Sequence, residues 1–297
     1  MLAAPFPYFG GKRRAAPRIW QALGDPAGYI EPFAGSAAVL LARPTFTGRR
    51  VETLNDADGW LVNTWRAIQL SPAEVAQHAW GPVAEIDYHA RLAWLQQRRT
   101  PDLVAWMEGD PEAHDAKAAG WWLYVVACGI GDPFGPGPWR VVDGHLRKLP
   151  HLGDAGKGQL EAYMQQLADR LRRVRITCGS WQRVVKPSVT RSGTGGDGTR
   201  AIFLDPPYAT SGDLYAHVDA DVGLAVRDWC ITAPREMRVI LCGYDTEHDA
   251  LLTHGWTVTE GKSGRGAGYS TNSTNGRRER LWLSPACIGT TQPSLLP

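Results

Sequence analysis

The chain has 297 residues, 43% of them hydrophobic and 21% charged, with a formal net charge of +2 at neutral pH. That length suggests about two domains at ~150 residues each, or one domain carrying a large insertion, in an ordinary globular protein. No stretch reaches the ~18 consecutive apolar residues of a membrane span, so a role within the bilayer is not expected. The opening Met1-Leu2-Ala3-Ala4-Pro5-Phe6 lacks the basic and apolar regions of a signal peptide. Five cysteines (Cys128, Cys178, Cys230, Cys242 and Cys287) make an odd count with no C-x-x-C pair. They argue against a disulfide framework and against a zinc site, and read as reduced cytosolic thiols, mostly in the core. Charge is unevenly spread, at +3 over residues 1–70, −4 over 71–155, +6 over 156–200 and −3 over 201–297. A polyanion would meet 156–200 first, although a solvated face is the commoner reason for a charge run.

Tyr8-Phe9-Gly10-Gly11-Lys12 precede a basic helical pattern over residues 13–23, interrupted by Pro17. Glycines before a helix let backbone N–H groups approach an anion and Lys12 adds a point charge; a simple glycine turn is the other reading. Residues 28–41 read as strand, tight turn and helix, with Gly35, Ser36 and Ala37 small enough for a ligand to approach the backbone. The turn lacks the G-x-G-x-x-G spacing of a dinucleotide site. Glu31 ends that strand. A carboxylate there is costly to bury unpaired, so either an amino-bearing ligand or an ion pair with Lys12 or an arginine is expected. Residues 50–54 form the second strand, and Asp56 follows it where nucleotide-type folds place the acceptor for ribose hydroxyls. Asp58 reads as the N-cap of a helix over 59–69 whose Leu61, Trp65 and Ile68 share a face.

Helical patterns then cover 72–80, 84–99, 101–108, 112–128 and 157–174, with no clear strand among them. Six of the chain's 13 tryptophans (Trp80, Trp94, Trp106, Trp121, Trp122 and Trp139) lie in this region. Core packing is the expected use for most of them, and base stacking for an exposed one. Residues 129–140, rich in Gly and Pro, read as a loop. Arg170, Arg172, Arg173 and Arg175 lead into a strand over 174–178. Residues 186–200 have the composition of a loop that either closes over a substrate or is a tolerated insertion.

Ala201-Ile202-Phe203-Leu204-Asp205-Pro206-Pro207-Tyr208 reads as a buried strand stopped by two prolines. Asp205 and the Pro206 carbonyl can serve as acceptors and Tyr208 as a stacking face, which suits a planar substrate with an exocyclic amino group. A strand-ending turn with a packed tyrosine is the alternative. His217, in a polar loop over 209–218, reads as structural or solvated. Beyond it come a helix over 219–232, a strand over 238–245 and a hairpin pairing 256–258 with 280–283. The intervening loop ends Asn275-Gly276-Arg277-Arg278, either a phosphate clamp or a flexible hairpin loop. The tail after Pro285 is expected to be disordered.

In that order, Tyr8-Phe9-Gly10-Gly11-Lys12, Glu31-Pro32-Phe33-Ala34-Gly35-Ser36, Asn55-Asp56 and Asp205-Pro206-Pro207-Tyr208 resemble the Dam-like family (D12 class, alpha group) of DNA adenine-N6 methyltransferases. The resemblance covers residues 5–70 and about 174–284. It implies an α/β fold, a Rossmann-like S-adenosylmethionine-dependent methyltransferase sheet over 1–70 and 174–284. An inserted, mainly α-helical target-recognition subdomain would occupy 71–173, and 285–297 would be the tail. Asp205, Pro206, Pro207 and Tyr208 would be catalytic. S-adenosyl-L-methionine would be held by Tyr8, Gly10, Gly11, Lys12, Glu31, Pro32, Phe33, Ala34, Gly35, Ser36, Ala37, Asp56 and Asp205. Arg172, Arg173, Arg277 and Arg278 would contact double-stranded DNA, and no metal is expected. The implied activity is direct methyl transfer to a flipped adenine in the cytoplasm of a bacterial or phage-infected cell, as an orphan methylase or with a restriction partner; the oligomeric state is left open, with a monomer favoured over an oligomer. An RNA base amino-methyltransferase and a catalytically silent DNA-binding relative are the other readings.

Overall fold

The computed structural model describes residues 2–6, 11–44, 50–81, 84–98, 102–128, 141–142, 145–146, 157–190, 198–207, 222–261 and 278–289. Tyr8, Gly10, Trp139, Tyr208, His217, Arg277 and the tail beyond residue 289 lie outside them. The chain runs α1 (Ala16–Leu23), β1 (Gly28–Glu31), α2 (Ala38–Leu41), β2 (Val51–Asp56), α3 (Gly59–Leu70), α4 (Pro72–Ala79), α5 (Glu85–Arg98), α6 (Asp102–Gly109) and α7 (Ala116–Cys128). It continues through β3 (Val141–Val142), β4 (His145–Leu146), α8 (Lys157–Leu171), β5 (Val174–Cys178), α9 (Pro187–Thr190) and β6 (Arg200–Leu204). The last elements are α10 (Val222–Thr232), β7 (Arg238–Tyr244), β8 (Thr257–Glu260) and β9 (Glu279–Leu283). The chain forms two compact units, one of residues 10–55 and 180–297, the other of residues 2–9 and 56–179. These boundaries stand 15 residues before and six after the expected insertion limits at 71 and 173.

In the first unit the sheet runs β2-β1-β6-β7-β9-β8. The first four strands are parallel, β9 is antiparallel to β7, and β8 to β9. This is a mixed α/β sheet of the expected Rossmann-like kind. All four residues of β1 are buried, as are all of β6 except Arg200, which is why these strands read as continuous apolar runs rather than alternating ones. Ile202, Leu204, Val239 and Leu241 pack with Val226 of α10 and with Trp256 and Trp282 into one core. From β1 the chain moves outward to β2, and it later returns to β1's other side as β6. At such a reversal the connections diverge and leave a crevice at the strands' carboxyl ends. Glu31 and Asp205 both stand at that edge, since Ile30 pairs with Ile202.

Several boundaries in this unit differ from expectation by a few residues. The first helix starts at Ala16 rather than at residue 13, with Pro17 in its opening turn, where a missing N–H costs nothing. β9 begins one residue earlier than expected, at Glu279. The presumed disordered tail is held through Gly289: Cys287 is buried and Ile288 N–H donates to the Ala22 carbonyl at 2.8 Å.

The second unit is mostly helical. Asp58 caps α3 as expected, its Oδ1 accepting from Trp60 N–H at 2.8 Å. Leu61, Trp65 and Ile68 are all buried. Phe6 packs against Trp65 and edge-on against Trp122, with ring centroids 5.5 and 4.8 Å away. The two-residue ladder of β3 and β4 was not expected, being too short to show a strand period. Trp122 is buried, Trp94 and Trp121 are half-buried and meet edge to face at 4.8 Å, while Trp80 and Trp106 are exposed. Among the described residues the cysteines are free, and no helix is long and apolar enough to cross a membrane.

Gly120 sets the approach of α4 and α7. A Cβ there would strike the His78 Cβ and come within 2.8 Å of both Ala79 N and the Val75 carbonyl oxygen, so the obstacle is largely backbone. Gly120→Ala gains about 1 kcal/mol of helix propensity but forces the helices apart, at a typical cost of about 1–3 kcal/mol. Urea unfolding of the variant should show a lower midpoint than wild type; an equal or higher midpoint would mean that the crossing is not tight.

Candidate active site

Lys12 stands one turn before α1, its carbonyl accepting from Ala16 N–H at 2.8 Å. Its ammonium is buried and donates to Asp205 Oδ2 at 2.7 Å. Glu279 Oε1 lies on the other side at 2.8 Å. Burial alone would drive the ammonium toward neutrality, but the charges of Asp205 and Glu279 outweigh it and hold the Lys12 pKa well above the usual lysine value. The anion-binding reading of Lys12 is therefore corrected: its charge is committed to two carboxylates of this chain. Gly11 precedes it on an exposed stretch.

Asp205 follows β6 directly and keeps 20% of its side-chain surface, whereas the Glu279 side chain keeps 3%. Pro206 behind it is buried and Pro207 half-buried. The Cys242 thiol, on the neighbouring strand β7, is pushed up by burial and by Asp205, to which it is hydrogen-bonded. Tyr244 ends β7, and burial followed by the charge of Glu279 raises its pKa too. Thus three strands and the segment before α1 converge on one ammonium. Sequence reasoning missed Glu279, Cys242 and Tyr244. Only the pairing of Tyr244 with Glu279 across β7 and β9 brings the acid to this place.

Among the described residues Glu31 forms no ion pair with Lys12 or an arginine. Its Oε1 accepts from Tyr29 Oη at 2.7 Å, and the Leu40 N–H also donates to its carboxyl. Burial pushes its pKa up from the ordinary 4.5 to about 8, the partial relief from these two donors notwithstanding. Tyr29 in turn packs on Trp20 at 4.6 Å. The following turn is fastened at both ends, Ala34 N–H donating to the Asn55 carbonyl at 2.9 Å and Asn55 Nδ2 to the Pro32 carbonyl at 3.0 Å. Gly35 and Ala37 both adopt left-handed backbone, with φ of 46° and 50°, and Ser36 is buried. For Ala37 that conformation is strained, and strain of this kind persists where the surroundings fix it. Phe33 lies 6.3 Å from Trp181. Asp56 is the last residue of β2, with Oδ1 accepting from Asp58 N–H at 3.0 Å.

The four arginines expected to meet DNA divide. Arg172 and Arg173 are exposed. Arg278 donates from Nε to Asp245 at 2.6 Å and lies 5.2 Å over the Tyr244 ring, so much of its charge is already answered. Arg277 is outside the described residues. Among the described residues no group of three acidic, histidine or cysteine side chains is placed to hold a metal ion.

A carboxyl whose folded pKa lies above its unfolded value stabilises the fold below the unfolded pKa and loses that contribution as pH rises through the folded one. For Glu31 the window is 4.5 to about 8. The stability of wild type relative to Glu31→Gln should accordingly fall across it in urea titrations at stepped pH. A difference independent of pH would mean that Glu31 ionises normally.

A comparison with curated proteins returned no significant match. Over residues 8–82, which hold Lys12, Glu31, the turn through Ala37 and Asp56, the chain matches the family model of the D12 class N6 adenine-specific DNA methyltransferase.

Proposed function

We propose that the chain transfers a methyl group from S-adenosylmethionine to the N6 amino group of adenine in double-stranded DNA. One observation carries the reading. The Lys12–Asp205 bond joins the segment that matches the methyltransferase family to an Asp-Pro-Pro strand end that lies beyond the match. The Asp205 carboxylate, 20% exposed, stands at the crevice edge of a parallel sheet.

The residues at that edge fit the cofactor. The strained small-residue turn of Gly35, Ser36 and Ala37 offers backbone at close range, and Glu31 is a buried carboxyl held by the neutral Tyr29 hydroxyl and Leu40 N–H. An amino group brought next to Glu31 would favour its ionised form, and Asp56 supplies an acceptor for ribose hydroxyls. When bound, S-adenosylmethionine supplies an electrophilic methyl group. Asp205 and the Pro206 carbonyl would accept the two amino hydrogens of adenine and so orient the nitrogen lone pair toward that methyl. Lys12 fixes the Asp205 carboxylate in place, so catalysis rests on positioning and charge, with no strong base required. The adenine must leave the duplex at a cost of a few kcal/mol, and stacking on Tyr208, worth about 1–3 kcal/mol, would offset much of it.

In this reading residues 71–173 form the target-recognition insertion. In support, Arg98 lies 4.2 Å over Trp94 and Lys117 lies 4.4 Å over Trp121, a pairing of cations with partly open rings that suits phosphate and base.

Asp205→Ala should still bind S-adenosylmethionine in calorimetry, with any loss of affinity far smaller than the roughly 10²–10⁴-fold loss of methyl transfer, the range for removing one positioned polar group. Turnover at the wild-type rate would sink the assignment.

A further inference from the structure

Glu279 is as close to Lys12 as Asp205 is, but it faces inward: its side chain is 3% exposed against 20% for Asp205. A substrate that reaches Asp205 cannot reach Glu279, so any influence of Glu279 on chemistry runs through Lys12. We infer that Glu279 is a positioning residue, which takes a share of the Lys12 ammonium and so leaves the Asp205 carboxylate a strong hydrogen-bond acceptor for an amino group. The inference rests on the reading of Asp205 as the group that holds the substrate amine.

The charge balance of the cluster leads there. One ammonium is shared between the two carboxylates. Were Glu279 neutral, Lys12 and Asp205 would form a closed, neutral pair, and the Asp205 oxygens would be less able to attract a further N–H donor. Cys242, Tyr244 and Glu31 also feel the Asp205 charge. Cys242 and Tyr244, on β7, have raised pKa values and are neutral at neutral pH. Glu31, at the end of β1, feels the Asp205 charge and is itself mostly protonated below about 8. Among the described residues, Lys12 bonds Asp205 directly and Glu279 stands on the far side of the shared ammonium. Glu279 is also held firmly enough to do so: it pairs with Tyr244 across the ladder, and its carbonyl accepts from Gly261 N–H at 2.9 Å.

The test is Glu279→Gln, which keeps the shape and removes the charge, with Glu279→Asp, which keeps the charge but withdraws it from Lys12. Carbon-13 NMR of the Asp205 carboxyl, identified by its loss in Asp205→Asn, follows ionisation without needing turnover. In Glu279→Gln the Asp205 titration midpoint should fall by roughly one unit, the lower end of what one nearby charge imposes. Glu279→Asp should move it the same way by less, and serves if the glutamine variant does not fold. In methyl transfer, kcat should drop with KM for S-adenosylmethionine unchanged, and the acid limb of the pH profile should move to lower pH. An unmoved Asp205 midpoint in folded variants, whatever their stability, would show that Glu279 is only structural. Absence of transfer by wild type, with the midpoint shift intact, would overturn the functional reading and leave the coupling standing.

Discussion

A single buried ammonium holds the reactive edge of this protein together. Taking Lys12 out of water costs several kcal/mol, a cost that mutual attraction offsets only when the geometry of its partners is good. Here two carboxylates supply that geometry at 2.7 and 2.8 Å. Because they come from the end of β6 and the start of β9, the ammonium can be satisfied only once the sheet is assembled. The order of strands therefore serves the site as much as the core, and the segment before α1 is pinned by it.

The same edge holds a second acid treated in the opposite way. Asp205 is given a share of the Lys12 ammonium and partial access to the outside, whereas Glu31 receives two neutral donors and almost no solvent. Environment thus sends the two carboxyls apart, one bonded to the Lys12 ammonium and one with its pKa raised to about 8 by burial. Separation of this kind is how neighbouring acids acquire different tasks. In the proposed reaction Asp205 meets the base, while Glu31 waits for the amino group of the cofactor.

Much of this architecture was legible in the chain, because local rules governed it. The apolar run into Asp205-Pro206-Pro207, the small-residue turn after Glu31 and the Asp58 cap each follow from a few adjacent residues. The Lys12–Asp205 bond was not legible, since its ends are 193 residues apart. Glu279 was hidden for another reason: between Arg278 and Arg280 it looks like part of a solvated charge run, and only the antiparallel register with β7 turns it inward. The partner of Glu31 was missed although a signal existed. Tyr29 is two residues earlier in the same strand, hence on the same face, but an ion pair was the more obvious remedy for a buried acid.

The central claim is that this edge methylates the amino group of adenine in DNA. It is tested most directly by incubating the protein with unmethylated double-stranded DNA and S-adenosylmethionine carrying a labelled methyl group, then digesting the DNA to nucleosides. The account predicts that the label appears in N6-methyladenine. Label on another base alone, or no label despite demonstrated cofactor binding, would contradict it.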